Sequence, residues 1–259
     1  MKRILVFVLA VLSMSFSSCS IEKRYAKSFI EQSKGANVAV YFPETAKVTN
    51  SLNVELNRYS EVLEGFNQNV FLDIMYAAYA ETLRDYDLNV YIPDNPDNIP
   101  VDSVNWLVML TQVEITGKIV EYDDYMFYNW EENYYKHNLN GVNVASWFDM
   151  NNGKWLPVQF AEHNLIDGFK SKADAGFSQS MNYTYTIDTL STTDLYNYAA
   201  YLGKLYAGYT FDCFMNHYIV EEAKKDYDME PALYMRYDPY RKMYIYLYYD
   251  ETDKFVEIK

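Results

Sequence analysis

Two stretches decide the fold of this chain: Trp106 to Tyr122, WLVMLTQVEITGKIVEY, and Val142 to Phe160, VNVASWFDMNNGKWLPVQF. Apolar residues recur at alternate positions in both stretches, which is the pattern of strands with one buried face. Asn152-Gly153 interrupts the second stretch and favours a type I′ hairpin turn, since both central residues of that turn need a positive φ. The pattern predicts three strands, the last two joined as a hairpin, with a bulge or bend at Gly117.

The flanking segments add helices and short strands. Apolar residues at steps of three and four predict helices over residues 21–33 and 70–86, and a long aromatic helix over residues 191–225. Short apolar runs at residues 38–42 and 88–92 predict buried strands, because turn residues bound each run. Helices therefore alternate with strands through the first half of the chain.

The C-terminal tail alternates again over residues 232–237, 243–249 and 254–258, which predicts a three-stranded antiparallel meander. The fold class expected from the whole pattern is α/β or α+β. It consists of a two-layer mixed sheet with covering helices, followed by the long helix and the meander. The strand-helix-strand and hairpin unit spans residues 36–165, and residues 166–259 are expected to pack on the same domain.

The first twenty residues show the three parts of a secretory signal peptide. Basic Met1-Lys2-Arg3 precedes the apolar run from Ile4 to Leu12, and small polar residues end at Ser18. The apolar run is too short to cross about 30 Å of hydrocarbon as a helix, and no other segment reaches about 18 consecutive apolar residues. We therefore expect export of the chain and no membrane-spanning helix.

Cys19 follows Ser17-Ser18 in a pattern that resembles a bacterial lipobox of the looser kind typical of Bacteroidota outer-membrane lipoproteins, with Phe16 in place of the usual Leu. The resemblance implies cleavage after residue 18 and acylation of Cys19, palmitate being one of the acyl chains. Residues 19–35 would then form an anchored tether or helix. The alternative is an ordinary signal peptide that leaves Cys19 as a thiol.

The charge of the mature chain indicates which kind of anchor it needs. Loss of Lys2 and Arg3 changes the formal net charge from -14 to -16, so anionic headgroups repel the protein and the anchor has to be lipid. Residues 21–24 lack the acidic run that resembles a surface-export signal in these bacteria. The expected location is the outer membrane, facing the periplasm, with surface exposure left open.

The order of elements over residues 36–165 resembles the amino-terminal domain of the curli-secretion lipoprotein and of TolB-like envelope lipoproteins. The resemblance is carried by residues 38–43, 70–86, 113–122 and 142–155, the last of which closes on an Asn-Gly turn. It implies an accessory or assembly role at the outer membrane. Pore formation is not implied, because no membrane-spanning barrel hairpins are recognisable.

Composition excludes several classes of function. A pI of about 4.6 argues against nucleic acid as a partner, because phosphate binding needs clustered cations. The two cysteines provide no disulfide framework. Nine glycines leave little room for a phosphate-binding or dinucleotide-binding loop, and no Gly-x-Ser-x-Gly motif is present. The expected protein is therefore not an enzyme.

Several groups of potentially reactive side chains have a structural explanation. Cys213 and His217 lie one helical turn apart in an aromatic stripe, where a thiol behaves as a small core hydrophobe. His137 and His163 are expected to be surface or turn histidines. The remaining candidates are carboxylate and amide clusters: Asp123-Asp124, Glu131-Glu132, Asp94 to Asn98, and Asp149 with Asn151 and Gly153. Chance in an acidic chain or turn chemistry explains them, so no metal or cofactor is expected.

Aromatic content is the feature that most exceeds expectation, with 28 tyrosines in the chain. A dense cluster is expected on an exposed loop or ribbon: Tyr122, Tyr125, Phe127, Tyr128, Trp130, Tyr134 and Tyr135. Tyrosine combines an apolar ring with a polar tip, which suits protein interfaces and sugar stacking. Plain strand structure is the alternative interpretation.

These observations predict a lipid-anchored envelope protein that is a non-catalytic accessory or assembly factor and contacts an envelope protein partner. The alternative is a glycan-binding lipoprotein that uses the exposed tyrosines, and a carboxylate-dependent hydrolase ranks below both. Ser103 and Thr189 each follow an aspartate and precede an apolar residue, a pattern that resembles the O-glycosylation acceptor of Bacteroidota envelope proteins.

Overall fold

The structure of the chain is a computed structural model that describes residues 21–93, 104–128, 131–175, 181–228, 230–248 and 253–258. The described residues form three helices and eleven strands. The helices are α1 (Ile21–Ser33), α2 (Gln68–Asp85) and α3 (Thr192–Tyr227). The strands are β1 (Asn37–Tyr41), β2 (Lys47–Asn50), β3 (Asn89–Tyr91), β4 (Trp106–Tyr128), β5 (Glu131–Asn151), β6 (Val158–Ile166), β7 (Gly168–Ala175), β8 (Met181–Asp188), β9 (Tyr234–Asp238), β10 (Met243–Leu247) and β11 (Val256–Ile258).

The main sheet is mixed, with the strand order β11-β6-β5-β4-β1-β3. Strand β1 pairs in parallel with β3 and β4, and β2 pairs in parallel with β4 further along the same edge. The pairs β4 with β5, β5 with β6, and β6 with β11 are antiparallel. The predicted α+β class with a mixed sheet and a long C-terminal helix is confirmed.

All three helices pack over one face of this sheet, where large aromatic rings fill the core. The Phe148 ring of β5 lies 6.4 Å from Tyr79 of α2 and 5.4 Å from Tyr206 of α3, measured between ring centroids. Full burial of such a side chain contributes about 1.5–3 kcal/mol. None of the helices in the described parts of the chain has the length and apolar character of a membrane span.

Helix α3 and strand β4 run in opposite directions. Trp106, at the start of β4, stacks on Phe214 in the second half of α3, with ring centroids 4.7 Å apart. Further along β4, Ile119 pairs with Asn140, which Asp167 joins to Leu190 just before α3 begins. Strand β4 therefore leads from the C-terminal half of α3 towards its N-terminus, along a helix whose 36 residues correspond to about 54 Å.

The predicted helices are confirmed within a few residues. Helix α1 covers the predicted residues, and α2 begins behind the N-cap Asn67, whose side chain accepts hydrogen bonds from the Asn69 and Val70 amides. Helix α3 begins behind Ser191 in a capping box with Asp194, as its polar start predicts. Local capping chemistry therefore sets where α2 and α3 begin.

The bulge predicted at Gly117 is wrong. Gly117 pairs in register with Val142, and the register shift of β4 against β5 lies between Leu110 and Gln112. A Cβ atom at position 117 would lie 2.8 Å from Oδ1 of Asn50, whose side-chain amide donates to the Ser60 carbonyl. The Asn50 side chain that lies over Gly117 explains this glycine better than a bend.

The hairpin between β5 and β6 is confirmed, but the predicted type I′ turn is wrong. Gly153 has a positive φ of 98°, whereas Asn152 is not among the residues with positive φ. A bridge between Asn151 and Trp155 encloses a three-residue loop, in which the Asn152 amide donates to the Lys154 carbonyl over 3.2 Å. The loop needs glycine at one position only.

The predicted three-stranded meander is only partly correct. Strands β9 and β10 form an antiparallel hairpin of their own, but β11 leaves it and pairs with β6 at the edge of the main sheet. Phe255, next to β11, is buried among Phe148, Tyr206 and Tyr209, so its burial in the main core outweighs pairing with β10.

Candidate binding surface

Strands β4 and β5 continue past their neighbours as a two-stranded ribbon. Strand β2 ends its pairing with β4 at Gly117, and β6 ends its pairing with β5 at Gly141. Residues 118–128 pair with residues 131–141. At about 3.3 Å per residue, the eleven residues of β4 beyond Gly117 extend for about 36 Å.

A second hairpin, β7–β8, covers one face of this ribbon through aromatic contacts. The Tyr135 ring stacks on Tyr183 with a centroid distance of 3.8 Å and an interplanar angle of 4°, and Tyr122 contacts Phe169 at 4.9 Å. We call residues 118–140 together with the β7–β8 hairpin the arm. Strands β7 and β8 were not predicted, although Tyr183, Tyr185 and Ile187 alternate as strand residues do.

A buried polar contact joins the two layers of the arm. The Tyr183 hydroxyl donates to Asp124 Oδ2 over 2.8 Å and lies 2.7 Å from His137 Nε2. Burial and the neighbouring Asp124 carboxylate raise the pKa of Tyr183 to about 12, so the hydroxyl keeps its proton. Asp124 and His137 are themselves buried between the layers. The prediction that His137 is a surface or turn histidine is therefore wrong.

Removal of the Tyr183 hydroxyl tests this contact. We expect Tyr183→Phe to lower the free energy of unfolding by about 2 kcal/mol, because a buried carboxylate loses its donor. Urea denaturation of the full chain measures the change. The control is Tyr185→Phe, since Tyr185 is exposed and its hydroxyl has no hydrogen bond within the described residues. Equal midpoints for the two variants would contradict the proposed role of the hydroxyl.

Asp167 connects the base of the arm to the rest of the fold through hydrogen bonds. Its Oδ2 atom accepts hydrogen bonds from the Asn140 backbone and side-chain nitrogens, at 2.7 and 3.1 Å. Its Oδ1 atom accepts from the Leu190 amide at 2.9 Å, just before α3 begins. The residue is 3% exposed. One buried carboxylate thus connects the ribbon, the β7–β8 hairpin and the N-terminal end of α3.

Strand register divides the predicted aromatic cluster between two faces. Tyr122 and Tyr135 lie on the face that β7–β8 covers. Tyr125 pairs with Tyr134 on the opposite face, where their ring centroids are 5.2 Å apart and 48% and 63% of their surfaces are exposed. We call the face that carries Tyr125 and Tyr134 the open face.

Charged groups surround the two tyrosines on the open face. The Tyr134 hydroxyl donates to Glu132 Oε2 over 3.0 Å, and Lys136 Nζ lies 2.7 Å from Glu121 Oε1. The Glu132 carboxylate raises the pKa of both tyrosines, with partial burial contributing more at Tyr125. The open face is therefore a neutral aromatic pair in an acidic surrounding, which can form stacking and hydrogen-bond contacts.

The structure describes only some of the other predicted site residues. Phe127 and Tyr128 belong to β4, but their side chains lie outside the described residues, as do Cys19, Ser103 and Trp130. Thr189 lies exposed between β8 and α3. Its exposure is compatible with an acceptor site, and its modification stays a prediction.

The candidate reactive side chains do not form a catalytic site in the described residues. Burial raises the pKa of the Cys213 thiol to about 12, which leaves little thiolate for nucleophilic attack. His217 Nε2 lies 3.5 Å from Glu221 Oε1 and forms no hydrogen bond. Asp123 and Asp124 are consecutive strand residues, so their side chains point to opposite faces and do not converge.

His163 also differs from its predicted surface or turn position. It lies on β6 beside the Tyr206 ring, with centroids 5.7 Å apart, and burial lowers its pKa. Its Nε2 atom has no hydrogen-bond partner. His163 is therefore a half-buried strand residue beside the aromatic core.

Among the described residues, no group of three or more histidines, cysteines and carboxylates could hold a metal ion. Asn151 Oδ1 accepts the Gly153 amide over 2.7 Å and so closes the hairpin turn. Turn chemistry therefore explains this cluster. The cluster from Asp94 to Asn98 lies outside the described residues.

Asp212 is a buried carboxylate with a shifted pKa, and its contacts hold the fold together. Burial in α3 raises its pKa to about 7, and its two oxygens accept from Arg236 Nε at 3.1 Å and the Tyr237 amide at 3.0 Å. Arg236 also pairs with Asp253 over 2.6 Å. This network clamps β9 and the segment before β11 onto α3.

Comparisons with known proteins do not assign this chain to a family. No family model matches this chain, and no curated protein matches it. Among solved structures the chain is similar to a Helicobacter pylori protein described as a neuraminyllactose-binding hemagglutinin homolog, with 10% sequence identity and a TM-score of 0.40. That match covers 72% of this chain and 91% of the other. A similarity at this TM-score carries no argument about function.

Proposed function

We propose that this protein is a lipid-anchored, non-catalytic accessory or assembly factor of the outer membrane that contacts an envelope protein partner through the open face of its arm. The observation that carries the proposal is the exposed pair of Tyr125 and Tyr134 on a ribbon whose other face is covered by the β7–β8 hairpin. Large aromatic residues that stay exposed on an otherwise packed element are typical of protein interfaces.

The position of the arm relative to the N-terminus supports this role. The first residues of α1 lie against the C-terminal end of α3, where Arg24 donates to the Tyr227 hydroxyl over 3.2 Å and the Tyr25 hydroxyl donates to Asp226 over 2.5 Å. The arm begins at the other end of α3, about 54 Å away. An anchor at Cys19 would leave the open face far from the membrane surface.

Ring geometry favours a protein partner over a glycan. The Tyr125 and Tyr134 rings are inclined by 51°, so they do not form the flat parallel platform on which a sugar ring stacks. Their hydroxyls and the nearby Glu121, Glu132 and Lys136 can form hydrogen bonds at the rim of a protein interface. The described arm contains no pair of carboxyls that converges in a cleft, as a hydrolase would need.

Crosslinking in cells of the native host tests the proposal. We expect the tagged protein to yield a reproducible adduct with another envelope protein. The variant Tyr125→Ser/Tyr134→Ser is expected to lose at least about nine-tenths of this adduct, because central aromatic residues carry about 2 kcal/mol or more of binding energy each.

The matched control is Tyr59→Ser/Tyr201→Ser, which removes two tyrosines of similar exposure, 54% and 55%, outside the arm. This control is expected to keep the adduct. Equal yields from both double variants would contradict the role of the open face, and recovery of uncrosslinked protein alone would overturn the accessory function.

A further inference from the structure

The outer side of β4 in the arm has no neighbouring strand among the described residues. Strand β2 pairs with β4 only as far as Gly117, where the Ser51 amide donates to the Gly117 carbonyl over 2.8 Å. Within the described parts of the chain, residues 118–128 pair with β5 alone. We call the outer side of residues 118–128 the free edge.

Strand geometry decides which backbone groups face the free edge. The N–H and C=O groups of one residue point to the same side of a strand, and that side alternates along the chain. The Gly117 carbonyl faces outwards, because it accepts a hydrogen bond from the chain that follows β2. Residues at every second position beyond it therefore direct both backbone groups to the free edge: Ile119, Glu121, Asp123 and Tyr125. None of these four forms a backbone hydrogen bond with a described segment other than β5.

The free edge lacks the usual features that prevent strand addition. Proteins protect exposed edges with prolines, with bulges or with very short strands. Residues 118–128 contain no proline, and they show no register shift against β5. The protection that remains is charge, since this segment contains one lysine and three carboxylates, a balance of -2. The free edge can therefore accept a further strand, provided that its charge suits these carboxylates.

The carboxylates favour a basic strand over a second copy of this chain. Glu121 and Asp123 are exposed beside Tyr125 on the open face. The Lys136 ammonium of β5 interacts with both carboxylates and lies 2.7 Å from Glu121 Oε1, so one cation faces two carboxylates. Two free edges paired antiparallel about residues 121–123 would place carboxylates opposite each other, which is destabilising. Lysine or arginine on an added strand would form pairs of opposite charge instead.

We propose that the free edge binds an extended, basic segment of the partner as an added β-strand, with lysine or arginine opposite Glu121 and Asp123 and an apolar side chain beside Tyr125. The inference rests on the proposed accessory function and deepens it, since it assigns the chemical class of the partner. Backbone hydrogen bonds provide the affinity in this kind of recognition, and the side chains beside the edge provide the specificity.

Proline at position 123 tests the free edge. Asp123→Pro removes an N–H group that points away from β5, and proline is tolerated where the lost N–H faces solvent, so the β4–β5 pairing is expected to persist. An added strand would lose a donor and collide with the proline ring. In cells of the native host, we expect this variant to lose at least about nine-tenths of the crosslinked adduct.

The matched control places proline on the opposite edge of the same ribbon. The Asn140 amide of β5 donates to Asp167 Oδ2, so Asn138, two residues earlier, also directs its N–H group away from β4. Asn138→Pro is expected to keep the adduct. Asp123→Asn keeps the edge N–H group but removes the charge, and we expect it to lower the yield only about threefold.

The set of variants separates this inference from the proposed function. Equal yields from Asp123→Pro and Asn138→Pro would overturn the free edge as a binding site, and an adduct of two copies of this chain would overturn the assigned partner. If Tyr125→Ser/Tyr134→Ser still loses the adduct when both proline variants keep it, the proposed function stands without strand addition. Absence of any adduct from the parent protein would overturn both proposals.

Discussion

Replacement of Gly203 by alanine is expected to lower the free energy of unfolding by about 3 kcal/mol, a large effect for one methyl group. Gly203 lies where α3 crosses α2, and a Cβ atom there would collide with the Met75 carbonyl oxygen and lie 3.0 Å from the Ala78 Cβ. A backbone carbonyl inside a helix cannot move aside as a side chain can. The two helices would have to separate, and the aromatic core beneath them would lose contacts.

Gly208→Ala is the matched control for that prediction, because it makes the same change on the same helix. A Cβ atom at position 208 would meet only the Tyr86 hydroxyl, at 3.3 Å. Alanine favours a helix over glycine by about 1 kcal/mol, so we expect this variant to be as stable as the parent or slightly more stable. Thermal unfolding should separate the two variants by about 8 °C or more. Similar melting temperatures would contradict the tight α2–α3 crossing.

Local patterns in the sequence predict most elements of the body. Helix α3 is recognisable because its apolar steps follow a polar start at Ser191, and both signals act within one helical turn. The turn at Gly153 is recognisable for the same reason. The pairing of β11 with β6 is not local, because contacts with Phe148 and Tyr206 fix the position of Phe255. Both residues lie far from Phe255 in the sequence. Hydrophobic alternation predicts that a segment is a strand, but it does not predict which strand that segment pairs with.

The candidate binding surface was predictable as a ribbon but not as a surface with two different faces. Alternation along β4 and β5 separates Tyr122 and Tyr135 from Tyr125 and Tyr134, yet only the position of β7–β8 decides which pair is covered. His137 illustrates the same limit, because its burial depends on aromatic residues about 30 to 50 positions later in the chain.

Asp167→Ala is expected to have an effect of similar size, with a loss of about 3 kcal/mol in the free energy of unfolding. The backbone amides of Asn140 and Leu190 would lose their acceptor at a buried position, and the Asn140 side chain would lose it too. Each buried donor left without a partner costs about 1–3 kcal/mol. The loss should fall mainly on the arm, since the core between α2, α3 and the main sheet keeps its contacts.

Native-state hydrogen exchange distinguishes this local loss from a general one. In Asp167→Ala, amides of residues 118–140 and of the β7–β8 hairpin should exchange at least about tenfold faster, while those of α2 and of the buried part of α3 change less. Asp188→Ala is the control on the same hairpin, because Asp188 is exposed and pairs with Lys170 at the surface, an interaction of about 0–1 kcal/mol. Faster exchange spread evenly over arm and core would mean that Asp167 supports the fold as a whole. Faster exchange confined to the arm would mean that the orientation of the open face depends on the Asp167 carboxylate. In that case we expect Asp167→Ala to reduce crosslinking to the partner, although Tyr125 and Tyr134 are still present.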